Sequence, residues 1–406
     1  MPAAGPATDR PGPLQGITVL ECASIVLGPL TAQLLGDMGA DVIKVEPPEG
    51  DLTRAIGPCR EEGMGSFFLS NNRNKRSIVL DLKVPEGREV LGRLVERSDV
   101  FLHSVRTSAA ERLGLLYEQL TARRPDLVHC HLTGFADAGP YGGKPAYDDI
   151  VQALSGLAVL QSVVTGVPRY MPAIFADKVT AVQAAFAVSS ALLHRARTGD
   201  GQSVVVPMFE SMAAFNMHEH LWGHAFEPPL APMGYESVST ASRRPFSTLD
   251  GYLSFLPYSD AQWSRFFHLI GRDDVMKDER FATFAARQQA VSVVWAEIAA
   301  QLALRTNAEW TALLGGEDIP FAVVNSLEDL TRDEHLVSTG FWQIREDPVD
   351  HQLLRVPSPA TIMSQTPPSV RALPPRLGEH TADVLAGLGM DAAEVARLVE
   401  AGATRL

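Results

Sequence analysis

Between Ile17 and Phe135, short apolar runs rich in β-branched residues alternate with stretches of helical periodicity, and this alternation narrows the possible folds more than any other feature. ITVLEC from Ile17, ADVIKVE from Ala40, SIVLDLK from Ser77 to Lys83, DVFLHSV from Asp99 to Val105 and LVHCHLTGF from Leu127 to Phe135 read as strands. GPLTAQLLGDMG, the amphipathic stretch from Pro85 to Arg97 and a helical pair ending at Arg124 separate them. Parallel neighbours need a crossover of a dozen or more residues, which helices supply. The pattern therefore predicts an α/β fold with a parallel sheet covered on both faces. A further strand, QSVVVPM, follows the turn TGDG.

Near Glu227 the texture changes to PPLAPMGY, whose Pro and Gly content marks a linker. FSTLDGYLSFLPY then reads as a hairpin around Asp250 and Gly251, with Trp- and Phe-rich helices from Ala261 to Leu314 and the run IPFAVVNSLEDL after it. Beyond about Asp347 come extended pieces and a helical tail. The expected organisation is a disordered Pro/Gly leader over 1–15, a large domain over 16–225, a linker over 226–245 and a small α+β domain over 246–330. Residues 331–406 then return to complete the large domain.

A length of 406 residues, 46% hydrophobic and 20% charged, is enough for two cores. The net charge of -13 argues against nucleic acid or an anionic membrane as a partner, so a polyanionic ligand must find local Lys and Arg. Cys22, Cys59 and Cys130 are odd in number and lack CxxC spacing, which suits a reducing, cytoplasmic compartment and no structural zinc. No uninterrupted apolar run reaches membrane length, and the leader has no apolar h-region.

Several motifs weaken on inspection. Glu46 ends the second strand where a dinucleotide-binding fold places its ribose-binding acid, but the first turn, ASIVLGPL, has one Gly where G-x-G-x-x-G needs three. In HEHLWGH, His220 and His224 share a helical face while His218 points about 160° away from His220, and no third ligand completes a metal set. HCH at 129–131 sends His129 and His131 to one face of a strand, where packing or pocket lining explains them. Ser155 in ALSGL lacks the first Gly of a hydrolase elbow. RNKRS, from Arg73 to Ser77, reads either as a solvated rim or, with Lys83, Arg106 and Arg112, as cations converging on a phosphate-bearing ligand at the strand ends. In PAIFADKVTAVQAAFAV, Asp177 opens a helix, where a carboxylate commonly serves as a cap.

Taken together, several segments resemble the family III CoA-transferases, a group that includes formyl-CoA transferase, carnitine CoA-transferase and the α-methylacyl-CoA racemases. They are GPLTAQLLGDMGADVIKVEPPEGD, NRNKRSIVLDLKVPEGREVLGRLVERSDV, ERLGL at 111–115, AYDDIVQALSGL at 146–157, the Asp177 segment, RTGDGQSVVVPMFESM at 197–212 and LGEHTADVL at 377–385. The resemblance implies a Rossmann-like large domain, a smaller α+β domain and an interlocked homodimer. It also implies an acyl-CoA:carboxylate CoA-transferase with no permanently bound cofactor and no metal, in which an acyl-CoA donor and a carboxylic acid acceptor react through Asp177. Asp177 matches the nucleophile that forms aspartyl acyl anhydride and aspartyl-CoA thioester intermediates. Positions matching CoA contacts are Ile25, Val26, Leu27, Leu80, Lys83, Ser104, Val105, Arg112, Tyr147, Asp148 and Met208, with Lys83 and Arg112 as phosphate partners. The small residues Ala173, Ala176, Thr180 and Ala181 are expected to leave room for the thioester.

This chain departs from the family's patterns at several positions. Val26 replaces a Gln of formyl-CoA transferase, Ser104 and Val105 replace its Asn and Phe, and its glycine-rich flap has no counterpart before Arg243. The racemases carry a catalytic His where this chain has Tyr147, and a phenol, which ordinarily loses its proton near pH 10, is a poor substitute. Transfer is therefore preferred over the two alternatives, an α-carbon racemase or epimerase and a noncatalytic CoA-binding protein.

Overall fold

Six strands build the sheet that the alternation predicts: β1 (Thr18–Cys22), β2 (Asp41–Glu46), β3 (Lys75–Val79), β4 (Val100–His103), β5 (Val128–Thr133) and β6 (Gln202–Pro207). All pair in parallel, in the order β3-β2-β1-β4-β5-β6. Successive side chains of β1 enter different cores, as the pleat requires. Val19 packs with Val42, Val100 and Val128 under the helices Leu27–Asp37 and Phe175–Thr198. Leu20 packs with Ile43, Ile78 and Phe101 under the helices Pro85–Glu96, Thr381–Gly387 and Ala392–Glu400. Each fully buried Leu, Ile or Phe of these cores contributes roughly 1.5–3 kcal/mol.

This computed structural model describes residues 11–235, 238–240 and 243–406. The chain divides into one unit of residues up to 162, 167–219 and 340–406, and another of 163–166 and 220–339. Apart from the short segment 163–166, the crossings fall at 219/220 and 339/340, against expected boundaries near 225 and 330. Of the expected leader, 1–10 lies outside the described residues. Residues 11–15 are ordered rather than free: Leu14 N–H donates to the Met38 carbonyl (2.9 Å), and Gly12 sits so close that a Cβ there would meet the Met38 oxygen at 2.2 Å.

The strand expected over Ser77–Lys83 instead spans Lys75–Val79. Asp81 N–H turns away to the Ala403 carbonyl (2.9 Å), and Lys83 N–H closes a turn on Asp81 Oδ1 (2.9 Å) before Pro85 opens the next helix. LGEHTADVL has a structural task here. His380 N–H donates to the Ser77 carbonyl (2.9 Å), Gly378 N–H to Ser77 Oγ (2.9 Å), and Val79 N–H to Thr381 Oγ1 (3.3 Å). These bonds cover the free edge of β3, which would otherwise invite pairing with another chain.

In the second unit β7 (Phe246–Ser247), β8 (Tyr252–Phe255) and β9 (Phe321–Val323) form an antiparallel sheet, with the expected hairpin closing between Ser247 and Tyr252. Its core gathers Trp263, Phe266, Phe267 and Trp310, and the Trp310 indole donates to the Leu302 carbonyl (2.9 Å). β10 (Trp342–Glu346) and β11 (Leu353–Pro357) make a separate hairpin in the first unit. Among the described residues no helix is long and apolar enough to cross a membrane.

Candidate functional site

Strand order reverses between β1 and β4, so the crossovers from these two strands leave in opposite directions and open a crevice beyond their C-terminal ends. The chain after β1 turns sharply at Ile25, whose φ of 72° is left-handed, a region that β-branched residues avoid. Ile25 N–H donates to Asp51 Oδ1 (3.3 Å). Asp51 also accepts from Thr53 N–H (3.0 Å), Thr53 Oγ1 (2.8 Å) and Lys44 Nζ (3.0 Å). Lys44 spends its remaining protons on Glu21 (3.0 Å) and the Ala23 carbonyl (2.8 Å), while Lys75 pairs with the other Glu21 oxygen (2.8 Å).

Every charged group of this network is buried. Burial works against Lys44's charge, but Glu21 and Asp51 outweigh it and hold its pKa above the usual lysine range. Burial wins at Lys75, which is pushed down to about 8 despite Glu21. Beside them, Arg54 clasps Glu46 through two bonds (2.8 and 2.7 Å), and Ser77 Oγ donates to the same carboxylate (2.6 Å). Glu46 therefore serves the fold and is closed to a ribose. The RNKRS cluster serves it too: Lys75 is buried, Arg73 grips Asp37 (2.9 and 2.6 Å), and Arg76 pairs with Asp41 at the surface. Of the two readings the cluster allowed, convergence on a phosphate does not hold for Arg73, Lys75 and Arg76, whose charges are claimed by carboxylates remote in sequence; Arg76 alone lies on a solvated rim.

Two hollows lie along the crevice. The first, about 230 Å³, is lined by Ile25, Leu27, Ser104, Tyr147, Met208 and Asp177 among others. The second, about 500 Å³, is lined by Leu80, Lys83, Ser104 and Val105. Ser24, Leu52 and Ser104 border both, so the hollows adjoin. Three expected contacts lie elsewhere. Val26 is buried beneath the turn, and Arg112 lines a separate hollow with Arg88 and Arg123. Asp148 sits behind Asp177.

The helix carrying Asp177 spans Phe175–Thr198 and packs on Leu27–Asp37 through Ala181, Ala184 and Val188, with Thr31 Oγ1 donating to the Ala181 carbonyl (3.4 Å). Ala176, Thr180 and Ala181, expected to make room for a thioester, are fully buried; their small size serves the close approach of the two helices. Asp177 is the third residue of the helix, and Ile174 precedes it without a side-chain cap. Capping is done by Asp148, whose Oδ1 accepts the Asp177 N–H (3.0 Å) and whose Oδ2 accepts from Gln152. Gln152 in turn accepts from Met171 N–H (2.9 Å), which fixes the approach to the helix.

Among the described residues, the Asp177 carboxylate has no hydrogen bond or ion pair. Burial, with a second contribution from the nearby Asp148 carboxylate, pushes its pKa up to about 7. The histidines of β4 and β5 form a stack below the crevice: His103 lies 4.2 Å from His131 and 5.0 Å from His129, ring centre to ring centre. Burial lowers all three pKa values, and His131, which lines the first hollow, bonds the Val105 carbonyl through Nε2 (2.9 Å). In HEHLWGH, His220 is buried and accepts from Tyr235 N–H (3.2 Å), and no metal-binding cluster of His, Cys, Asp or Glu exists among the described residues.

The sequence reading missed Leu52, which stands 71% exposed where the hollows meet, and Lys144 in the first hollow. The signal for Leu52 was present in PPEGDLTR: a lone apolar side chain just after a Gly-Asp turn.

A doubly covered parallel sheet with a carboxylate unpaired among the described residues at its switch crevice, and a second hollow adjoining it, is a ligand-binding arrangement of the α/β class. The chain belongs to CoA-transferase family III, whose model matches residues 14–381. It is 35% identical to succinate–glutarate CoA-transferase of Agrobacterium fabrum, over 94% of this chain and 98% of that one. It is 32% identical to succinyl-CoA:mesaconate CoA-transferase of Haloarcula hispanica, over 93% and 97%. A CAIB/BAIF family protein from Brucella suis superposes with a TM-score of 0.81 at 32% identity, over 93% of this chain and 100% of that one. The protein is thus a CoA-transferring enzyme, and coenzyme A and its thioesters are its substrates.

Proposed function

We propose that the protein is an acyl-CoA:carboxylate CoA-transferase in which Asp177 is the nucleophile and the two hollows hold the CoA thioester. The observation that carries this is the unpaired Asp177 carboxylate at the head of its helix, facing the first hollow. An oxygen of the ionised carboxylate attacks the thioester carbon, the C–S bond breaks, and CoA thiolate leaves with the electron pair. Thiolate then attacks the aspartyl carbonyl of the mixed anhydride, releasing the donor acid and leaving an aspartyl-CoA thioester. The acceptor carboxylate displaces thiolate from that thioester, and thiolate's attack on the acceptor's carbonyl yields the new acyl-CoA and frees Asp177. The cycle needs no net proton.

A poorly solvated carboxylate suits the first step, since it gives up less hydration on attack. At pH 7 a group titrating near 7 is about half ionised, enough for a nucleophile. Lys83, on the rim of the second hollow, would neutralise CoA phosphate, and Leu80 and Val105 would flank the nucleotide. The acceptor is a carboxylic acid, and the relatives' names put succinate, glutarate and mesaconate first among acids to screen. We read the protein as a homodimer because Val182, Phe186 and Leu193 lie exposed along one side of the Asp177 helix. Its three unpaired cysteines favour a cytoplasmic setting.

The test is trapping. Enzyme incubated with acyl-CoA and then hydroxylamine is digested, and the peptide bearing Asp177 is read by mass spectrometry. A hydroxamate at Asp177 is expected. Undiminished CoA exchange in a well-folded Asp177→Ala variant would sink the proposal.

A further inference from the structure

Asp51 has no place in the chemistry just described, yet four donors converge on its carboxylate: Ile25 N–H (3.3 Å), Thr53 N–H (3.0 Å), Thr53 Oγ1 (2.8 Å) and Lys44 Nζ (3.0 Å). Two of these ties hold the short helical turn Leu52–Ala55, and a third restrains the left-handed turn at Ile25. The same short turn is anchored again through Arg54, clasped on buried Glu46 (2.8 and 2.7 Å). Leu52 is therefore held between fixed neighbours while its own side chain stands in solvent. An apolar side chain held rigidly in the open, bordering both hollows, is arranged for a ligand that passes from one to the other.

We infer that Asp51 is a positioning residue for the thiol arm of CoA: it locks the Ile25 turn and presents Leu52 at the seam between the hollows. The inference rests on the reading that CoA lies along both. Strain makes the restraint necessary. Ile25 resists positive φ, and without the Asp51 acceptor the turn relaxes and narrows the seam. Asp51 is tied to the sheet through Lys44, which also holds the Ala23 carbonyl at the end of β1 (2.8 Å). Turn, short helix and strand thus share one buried cation.

The test measures CoA affinity of the full chain by calorimetry, a readout that does not depend on Asp177. Leu52→Ser, which leaves every Asp51 bond in place, is expected to bind CoA about tenfold more weakly. Asp51→Ala, which removes the acceptor, is expected to lose about tenfold alone and only about twofold in an Ile25→Gly background, because glycine adopts positive φ without help. Equal losses in the two backgrounds, or unchanged affinity in Leu52→Ser, overturn the inference; the second criterion stands even if Asp51→Ala fails to fold. Lys83→Ala separates the two readings. Weakened binding there with Leu52→Ser unchanged overturns the inference and leaves the cleft reading standing. Unchanged affinity in both variants overturns the two together.

Discussion

Asp51 and Asp177 border one crevice and meet opposite fates. Burial raises the cost of charge on both. At Asp51, Lys44 and the Thr53 donors outweigh that cost and hold the carboxylate below its ordinary range. At Asp177 no donor among the described residues answers, burial and the Asp148 carboxylate both disfavour charge, and the pKa climbs to about 7. A buried carboxylate with its hydrogen bonds satisfied holds structure together. One left unsatisfied stores free energy that chemistry can use, at a cost in stability.

The largest effect expected from this contrast is on turnover. Asp177→Asn keeps the shape and removes the proposed nucleophile, so steady-state CoA exchange between an acyl-CoA and an acid should fall by about 10⁴-fold or more, with the CD spectrum unchanged. A fall of less than tenfold would erase the distinction between the two carboxylates. On the structural side, Lys44→Met leaves Glu21 and Asp51 buried without their shared cation. Urea denaturation should show a loss of roughly 3–5 kcal/mol, and a loss below 1 would show the network to be dispensable.

The stability of Asp177 variants should run the other way, and its pH dependence follows from linkage. The folded-state pKa of about 7 lies above the ordinary aspartate value of 3.8, so between these pH values the folded chain holds a proton that the unfolded chain has lost. Stability therefore falls as pH rises through that window, and the penalty is complete above pH 7. Asp177→Asn should be more stable than the parent by roughly 1–2 kcal/mol at pH 8, allowing for the group's partial exposure, and no more stable at pH 4. Thermal melts at the two pH values decide it. In the same window kcat/KM of the parent should rise with pH to a midpoint near 7, and Asp148→Asn, which keeps an acceptor for the Asp177 N–H but removes the charge, should move that midpoint to lower pH. The smallest effect marks the limit of the comparison: Arg76→Ala, which breaks only the surface pair with Asp41, should cost about 0.5 kcal/mol or less.

Much of the fold was legible because hydrophobic periodicity is local. The strands and the apolar core they feed, from Val19 to Val128, follow from alternation alone, and so does the small unit's hairpin at Asp250 and Gly251. Charge pairing was not legible. RNKRS looked like a rim because its partners, Asp37, Asp41 and Glu21, come from other elements that only folding brings near. The same limit hid the task of Asp148, which looked like a pocket contact and is a cap for a neighbouring helix, and it hid Arg112's departure from the crevice.

The sequence by itself determined the α/β class and the two-unit organisation, since each depends on residue type and spacing within short stretches; Asp177 was singled out by the resemblance of many segments taken together, where its own stretch reads as a helix cap. Tertiary structure alone decided which buried charges are answered and which is left alone. That depends on contacts between segments far apart in the chain: Lys44 and Thr53 hold Asp51 as an anion, whereas burial and the Asp148 carboxylate hold Asp177 near its titration point.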